Sequence, residues 1–89
     1  MIEATVKLVN RHGMHARPAH LFVQTANRFE STVQVGRPGQ SSVNGKSIMS
    51  MLMLAAESGA ELVLRAEGPD AEAMIAALSE LVRGGFGEE

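Results

Sequence analysis

Gly13-Met14-His15-Ala16-Arg17-Pro18-Ala19 joins two different periodicities, and its reading decides the fold. Before it, Ile2, Ala4, Val6 and Leu8 alternate with Glu3, Thr5 and Lys7, the period of a half-buried strand. After it, Ala19, Phe22, Val23 and Ala26 recur at helical spacing. The spacing therefore predicts that His15 stands where a strand has ended and a helix begins. The N–H groups of a helix's first turn have no carbonyl a turn behind them, and the dipole there is positive, so such a corner suits an anion.

The rest of the chain continues the alternation. A strand at about 2–8 leads to a helix at about 16–28, whose last turn carries Asn27 and Arg28. Val33 and Val35 mark a short strand, Gly36-Arg37-Pro38-Gly39 a turn, and Ser42 and Val43 a second short strand, together a hairpin. A short helix is expected to open at Ser47 and end near Ser58-Gly59. Leu62, Leu64 and Ala66 then alternate with Val63, Arg65 and Glu67 in a fourth strand. Gly68-Pro69-Asp70 starts a last helix, with proline at the first helical position and acids in the first turn. Its apolar stripe is Ala71, Met74, Ile75, Leu78, Leu81 and Val82, and Gly84-Gly85 stops it. The remaining tail, to Glu89, is expected to be loosely held. The order is βαββαβα, an α+β protein. Three amphipathic helices are expected to cover one face of a four-stranded, mostly antiparallel sheet whose other face meets solvent.

Composition narrows the function. The 89 residues are expected to form a single domain, 1–89, with one core and no room for a separate substrate domain. No cysteine is present, so disulfides and thiolate zinc sites are excluded. A formal charge of −2 and the lack of Tyr and Trp argue against a nucleic-acid partner. Glu3 and Lys7 break any signal-like apolar run, and no stretch approaches the ~20 apolar residues that span a bilayer. A cytoplasmic protein without membrane insertion is expected, and nothing suggests more than a monomer.

The chemistry centres on His15. A neutral, exposed imidazole is a good phosphoryl acceptor, and a helix N-terminus disfavours the imidazolium. Once phosphorylated, the ring could be met by the backbone N–H groups of Ala16 and Arg17, while the Arg17 guanidinium matches phosphate geometry. Pro18 gives up an N–H that the first turn hardly needs and fixes the bend, and Gly13 lets the chain turn just before the site. No carboxylate lies nearby in sequence to activate water, which suits a carrier rather than a hydrolase. The plainer reading, a loop histidine beside a solvated arginine, fits a lone His better than it fits His-x-Arg-Pro at a strand-to-helix junction.

The 13–19 segment resembles the active-site signature of the HPr family, the histidine-containing phosphocarriers of the phosphoenolpyruvate-dependent sugar phosphotransferase system. Asn44-Gly45-Lys46-Ser47-Ile48-Met49 resembles the family's second signature, and the likeness spans nearly the whole chain. The resemblance implies an HPr-like open-faced β-sandwich with strand order 1-4-2-3. It implies that His15 accepts a phosphoryl group on Nδ1 from phospho-enzyme I and donates it to a IIA-type component, with Arg17 facing the phosphate. It implies a carrier rather than an enzyme, and no cofactor.

Ser47 reads first as the N-cap of the second helix. The resemblance adds regulation, because many HPr proteins are phosphorylated at this serine by an HPr kinase/phosphorylase, and a dianion there would charge the neighbouring apolar surface. Residues 47–56 are apolar almost all round, so a small domain should leave part of the helix exposed. Ile48 and Leu52 are expected to form a docking patch near His15, with Met49 at its edge. His20 is expected on the outer side of the first helix with Gln24 and Asn27, and His12 and His20 as rim residues of the phosphoryl site. HPr proteins more often carry a small polar or apolar residue at those two places. A metal site is not expected, since no acid or cysteine completes a ligand set. A nucleotide P-loop at Gly45-Lys46-Ser47 fails, because Gln40 stands where its first glycine is required. A competing function is a nitrogen-type or purely regulatory HPr-like protein that signals through its phosphorylation state. Leu52-Met53-Leu54 and the acidic Gly-Phe tail resemble that branch, whereas Gly-Lys-Ser-Ile-Met resembles the kinase-regulated carbohydrate branch.

Overall fold

The computed structural model describes residues 1–54 and 56–87, and its elements follow the expected order. Strand β1 (Ile2–Lys7) leads to helix α1 (Ala16–Ala26). The hairpin β2 (Thr32–Gly36) and β3 (Val43–Asn44) precedes helix α2 (Ile48–Met53). Strand β4 (Glu61–Glu67) and helix α3 (Ala71–Arg83) complete the chain, followed by a 3-10 turn at Gly85–Gly87. The sheet order is β1-β4-β2-β3, and every ladder is antiparallel.

Alternation in the strands becomes the two faces of the sheet. Val6 lies opposite Leu62 and Ala4 opposite Leu64, while Val35 and Val33 take Leu64 and Ala66 from the other side. Val6, Val33, Val35, Leu62, Leu64 and Ala66 are buried, and Glu3, Thr5, Lys7, Gln34 and Arg65 between them are exposed. α3 packs on β1 and β4, and α1 packs against both α3 and α2. Phe22, Met74 and Leu78 fill the space between, each fully buried and contributing about 1.5–3 kcal/mol by its removal from water.

Four expectations need correction. α2 ends at Met53, with Leu54 as its cap, well short of Ser58-Gly59. The chain leaves the helix because Ala56 and Ala60 spend their carbonyls elsewhere, on Met14 N at 2.8 Å and Leu8 N at 2.9 Å. α3 starts at Ala71 with Asp70 as its N-cap residue, so Pro69 precedes the helix rather than opening it. On the buried stripe of α3, Ser79 lies deeper than Leu81, which is only half-buried. The tail is not loose as far as Gly87, because Phe86 is 3 % exposed and joins the core, with its backbone in the left-handed region at φ 57°. Glu88 and Glu89 lie outside the described residues.

Asp70 does not cap its own helix through its side chain but clamps the turn that leads into β2. Its Oδ2 accepts from Glu30 N at 3.0 Å, and its Oδ1 accepts from Ser31 N at 2.9 Å and from the Ser31 hydroxyl. Ser31 Oγ in turn accepts from Asp70 N at 3.0 Å. The Ser31 hydroxyl first, then the Glu30 and Ser31 amides, hold the carboxyl below the usual carboxylate range. A lowered folded-state pKa stabilises above the unfolded value, and the contribution is lost as the pH falls through the folded one. Asp70→Asn is therefore expected to unfold at lower temperature than the parent at pH 7, with the gap narrowing as the pH drops below about 4. Paired thermal melts across that range check it.

Candidate functional site

The β1–α1 loop is a braced turn. Asn10, buried in the loop just past β1, donates from Nδ2 to Gly13 O at 2.7 Å, and Gly13 N donates back to Asn10 O at 3.2 Å. Met14 turns its side chain into the core and donates its N–H to Ala56 O at 2.8 Å. Gly13 has φ 65°, and a Cβ there would stand 2.5 Å from Ala56 O and 2.8 Å from Glu57 Cα. The loop thus lies flush against the segment that leaves α2.

From this brace His15 emerges as the N-cap residue of α1, with extended backbone and no side-chain capping bond. Its carbonyl accepts from Ala19 N at 3.0 Å, the first bond of the helix, so its ring is delivered to the helix mouth half-buried. Ala16 and Arg17 are exposed first-turn residues, the positions whose N–H groups a helix offers to an anion. Pro18, third in the turn, is buried and carries no N–H. The His12 ring stands beside that of His15, 5.8 Å between centroids and edge-on. His20 and Gln24 are exposed one turn apart on α1, with Asn27 beyond them. Among the described residues no group of three or more His, Cys, Asp or Glu side chains could hold a metal ion.

α2 is set by the 44–47 segment that leads into it. Ser47 caps it, its Oγ accepting from Ser50 N at 3.2 Å. Asn44 Oδ1 accepts from Lys46 N at 2.9 Å, and Lys46 Nζ reaches Phe29 O at 2.7 Å. A Cβ at Gly45 would stand 2.6 Å from Val33 and 3.2 Å from Phe22, so only glycine lets the segment lie this close to the core. The six-residue helix buries Met51 completely, half-buries Ser50 and leaves its four other residues exposed. Ile48 and Leu52 are 39 % and 37 % exposed, but Met49 and Met53 are 71 % and 75 % exposed. The sequence reading put Met49 at the edge of the patch and left Met53 out, whereas the two methionines offer most of its apolar surface.

Asn10 and Met14 are site residues that the sequence reading missed. A polar residue past the end of a strand reads as solvated loop, and only its bond to Gly13 O reveals a brace. The larger clefts lie around the β2–β3 turn, lined by Lys7, Arg37, Pro38 and Gln40, and along α3. His15 lines none of these. No helix among the described residues is long and apolar enough to cross a membrane.

Comparison with known proteins agrees with this geometry. Residues 2–84 match the family model described as PTS HPr component phosphorylation site. The phosphocarrier protein HPr of Treponema pallidum is 46 % identical over 89 residues, covering all of both chains. A crystal structure of HPr-C-His from Thermoanaerobacter tengcongensis superposes with a TM-score of 0.94 at 46 % identity, covering 100 % of this chain and 99 % of that one. A crystal structure of an HPr dimer from the same organism gives a TM-score of 0.77 at 45 % identity, covering 99 % and 100 % of the two chains.

The brace makes its own test. Gly13→Ala is expected to lose at least about 1–2 kcal/mol, since a Cβ strains the left-handed backbone and meets the Ala56 carbonyl. Denaturant unfolding measures the loss, and faster amide exchange at Met14 locates it at the loop.

Proposed function

Because the chain belongs to the HPr family of the phosphotransferase system, and so is a phosphocarrier rather than an enzyme, we propose that His15 is its phosphoryl acceptor. The Nδ1 of His15 takes the group from phospho-enzyme I, forming a P–N bond as the donor's breaks, and a IIA-type component removes it by the reverse chemistry. Ala16 and Arg17 N–H groups and the Arg17 guanidinium bind the phosphoryl oxygens, and Pro18 holds the turn that aims them. The observation that carries this reading is the position of His15 itself, a half-buried imidazole presented at the head of α1 by a loop braced on both sides. The domain spans 1–89 and works in the cytoplasm as a monomer, serving sugar uptake.

His20, Gln24, Ile48, Met49 and Leu52 form the docking surface on this reading, with Met53 added. Adaptable methionines suit one surface that must meet a donor and then an acceptor. Ser47 is the regulatory site for an HPr kinase/phosphorylase. A phosphate on that N-cap sits on the helix's positive end and leaves the fold intact, yet it puts a dianion beside the exposed Ile48 and Met49. A signalling role in which phosphorylation state is the output uses the same acceptor, and an intact His15 favours the carrier.

Incubation with phosphoenolpyruvate and enzyme I is expected to leave acid-labile label that disappears in His15→Ala; label persisting in that variant refutes the assignment. Incubation with ATP and HPr kinase is expected to give acid-stable label lost in Ser47→Ala. That variant also loses the cap, about 1 kcal/mol, and stays folded. An unlabelled parent counts against the regulation and leaves the carrier standing.

A further inference from the structure

The His12 ring stands against that of His15, and the carrier function so far leaves it without a task. The rings stand at 5.8 Å with their planes at 88°, so the edge of one faces the other. His12 is exposed on a loop whose turn is braced through Asn10 and Gly13. The backbone is thereby held while the imidazole can turn about its own side-chain bonds. Phosphorylation of His15 adds a dianion to the ring that His12 stands against, and an imidazole is a side chain whose charge changes near neutrality.

We propose that His12 is a second, titratable ligand of the phosphoryl group, a role that rests on His15 being the acceptor. As the imidazolium it donates an N–H to a phosphoryl oxygen on phospho-His15. Near neutrality phosphorylation then draws a fraction of a proton, at most about half for a one-unit rise in midpoint, from water onto His12, and transfer to the acceptor protein returns it. The transfer itself is unchanged: the P–N bond at His15 forms as the donor's breaks, and no other bond is made.

The remaining charges at this corner are Arg11 on the same loop, Arg17 with His20 one turn further along α1, and Glu57 on the segment after α2. Glu57 has its backbone against Gly13, while its carboxylate lies 3.6 Å from the Arg37 guanidinium. The 3-10 turn Gly85–Gly87, which packs by Gly85 near Asn10, brings no ionisable side chain. The arginines stay charged throughout the working range, and the phosphoryl group's own second proton titrates in parent and variant alike, so the part of the pH step that His12→Asn removes belongs to His12.

The test uses the full chain, phosphorylated by phosphoenolpyruvate and enzyme I and verified at His15 by its phosphorus resonance. NMR follows the His12 ring signals against pH in both forms. The titration midpoint is expected to rise by about one pH unit on phosphorylation, a tenfold gain in proton affinity. The equilibrium constant for phosphorylation, compared between pH 6 and pH 8, is then expected to shift toward the phospho form on acidification about sixfold more in the parent than in His12→Asn. His12→Lys, cationic at both pH values, is expected to favour the phospho form without that extra pH step. An unmoved His12 midpoint in protein that does carry phosphate on His15, or an equal pH step in His12→Asn, overturns the proposal. Protein that takes no phosphate on His15 overturns the carrier assignment as well, and the missing phosphorus resonance identifies that failure.

Discussion

One backbone hydrogen bond, from Met14 N to Ala56 O at 2.8 Å, ties the 13–19 segment to the chain that leaves α2. It joins the residue before His15 to the chain just beyond α2, and it forms because Gly13 has no side chain to hold the strands of chain apart. Met14 completes the join by burying its own side chain in the core. The head of α1 and the apolar helix are thereby set by the same contact. The His15 ring and the exposed apolar face of α2 cannot drift independently of one another.

How much of this could be read in the sequence depends on whether a residue's neighbour is near in the chain. β1, β4, α1 and α3 show themselves because one face of each is apolar at the period of the element. α2 does not, since a run apolar on all sides carries no period and no visible end. Its end is decided by Met14 and Leu8, which claim the Ala56 and Ala60 carbonyls from more than forty residues away. Phe86 was hidden for the same reason, a single aromatic among glycines whose burial depends on a left-handed turn. The strand order came from family resemblance, not from pattern, because alternation states which face is buried and not which strand lies alongside.

The candidate site divides along the same line. His15, Arg17, Pro18 and Ser47 were visible because helix starts have local rules, and the structure puts His15 and Ser47 at the N-caps of α1 and α2. Asn10 was not, since its bond to Gly13 is a property of the folded loop. Nor could helical spacing rank the exposed side of α2. It correctly separates Met51 from its neighbours once the helix is known, but only the packing against α1 and β3 shows that Met49 and Met53 face outward.

A carrier must hold its cargo without holding it too well, and the geometry of the corner bears on that balance. Groups fixed by the backbone, such as the first-turn N–H donors of α1, stabilise a bound anion by the same amount at every pH. An arginine adds to that constant term because it does not titrate in the cell's range. A second imidazole against the first is a different kind of partner, since its charge depends on both the medium and the presence of the anion. Stabilisation that arrives with a proton can leave with it, so the phosphoryl group is held more firmly in acid than in alkali while the scaffold stays the same. A small polar residue at position 12 would offer a hydrogen bond and no such dependence. The departure at His12 therefore changes the chemistry of release without requiring any change in the fold.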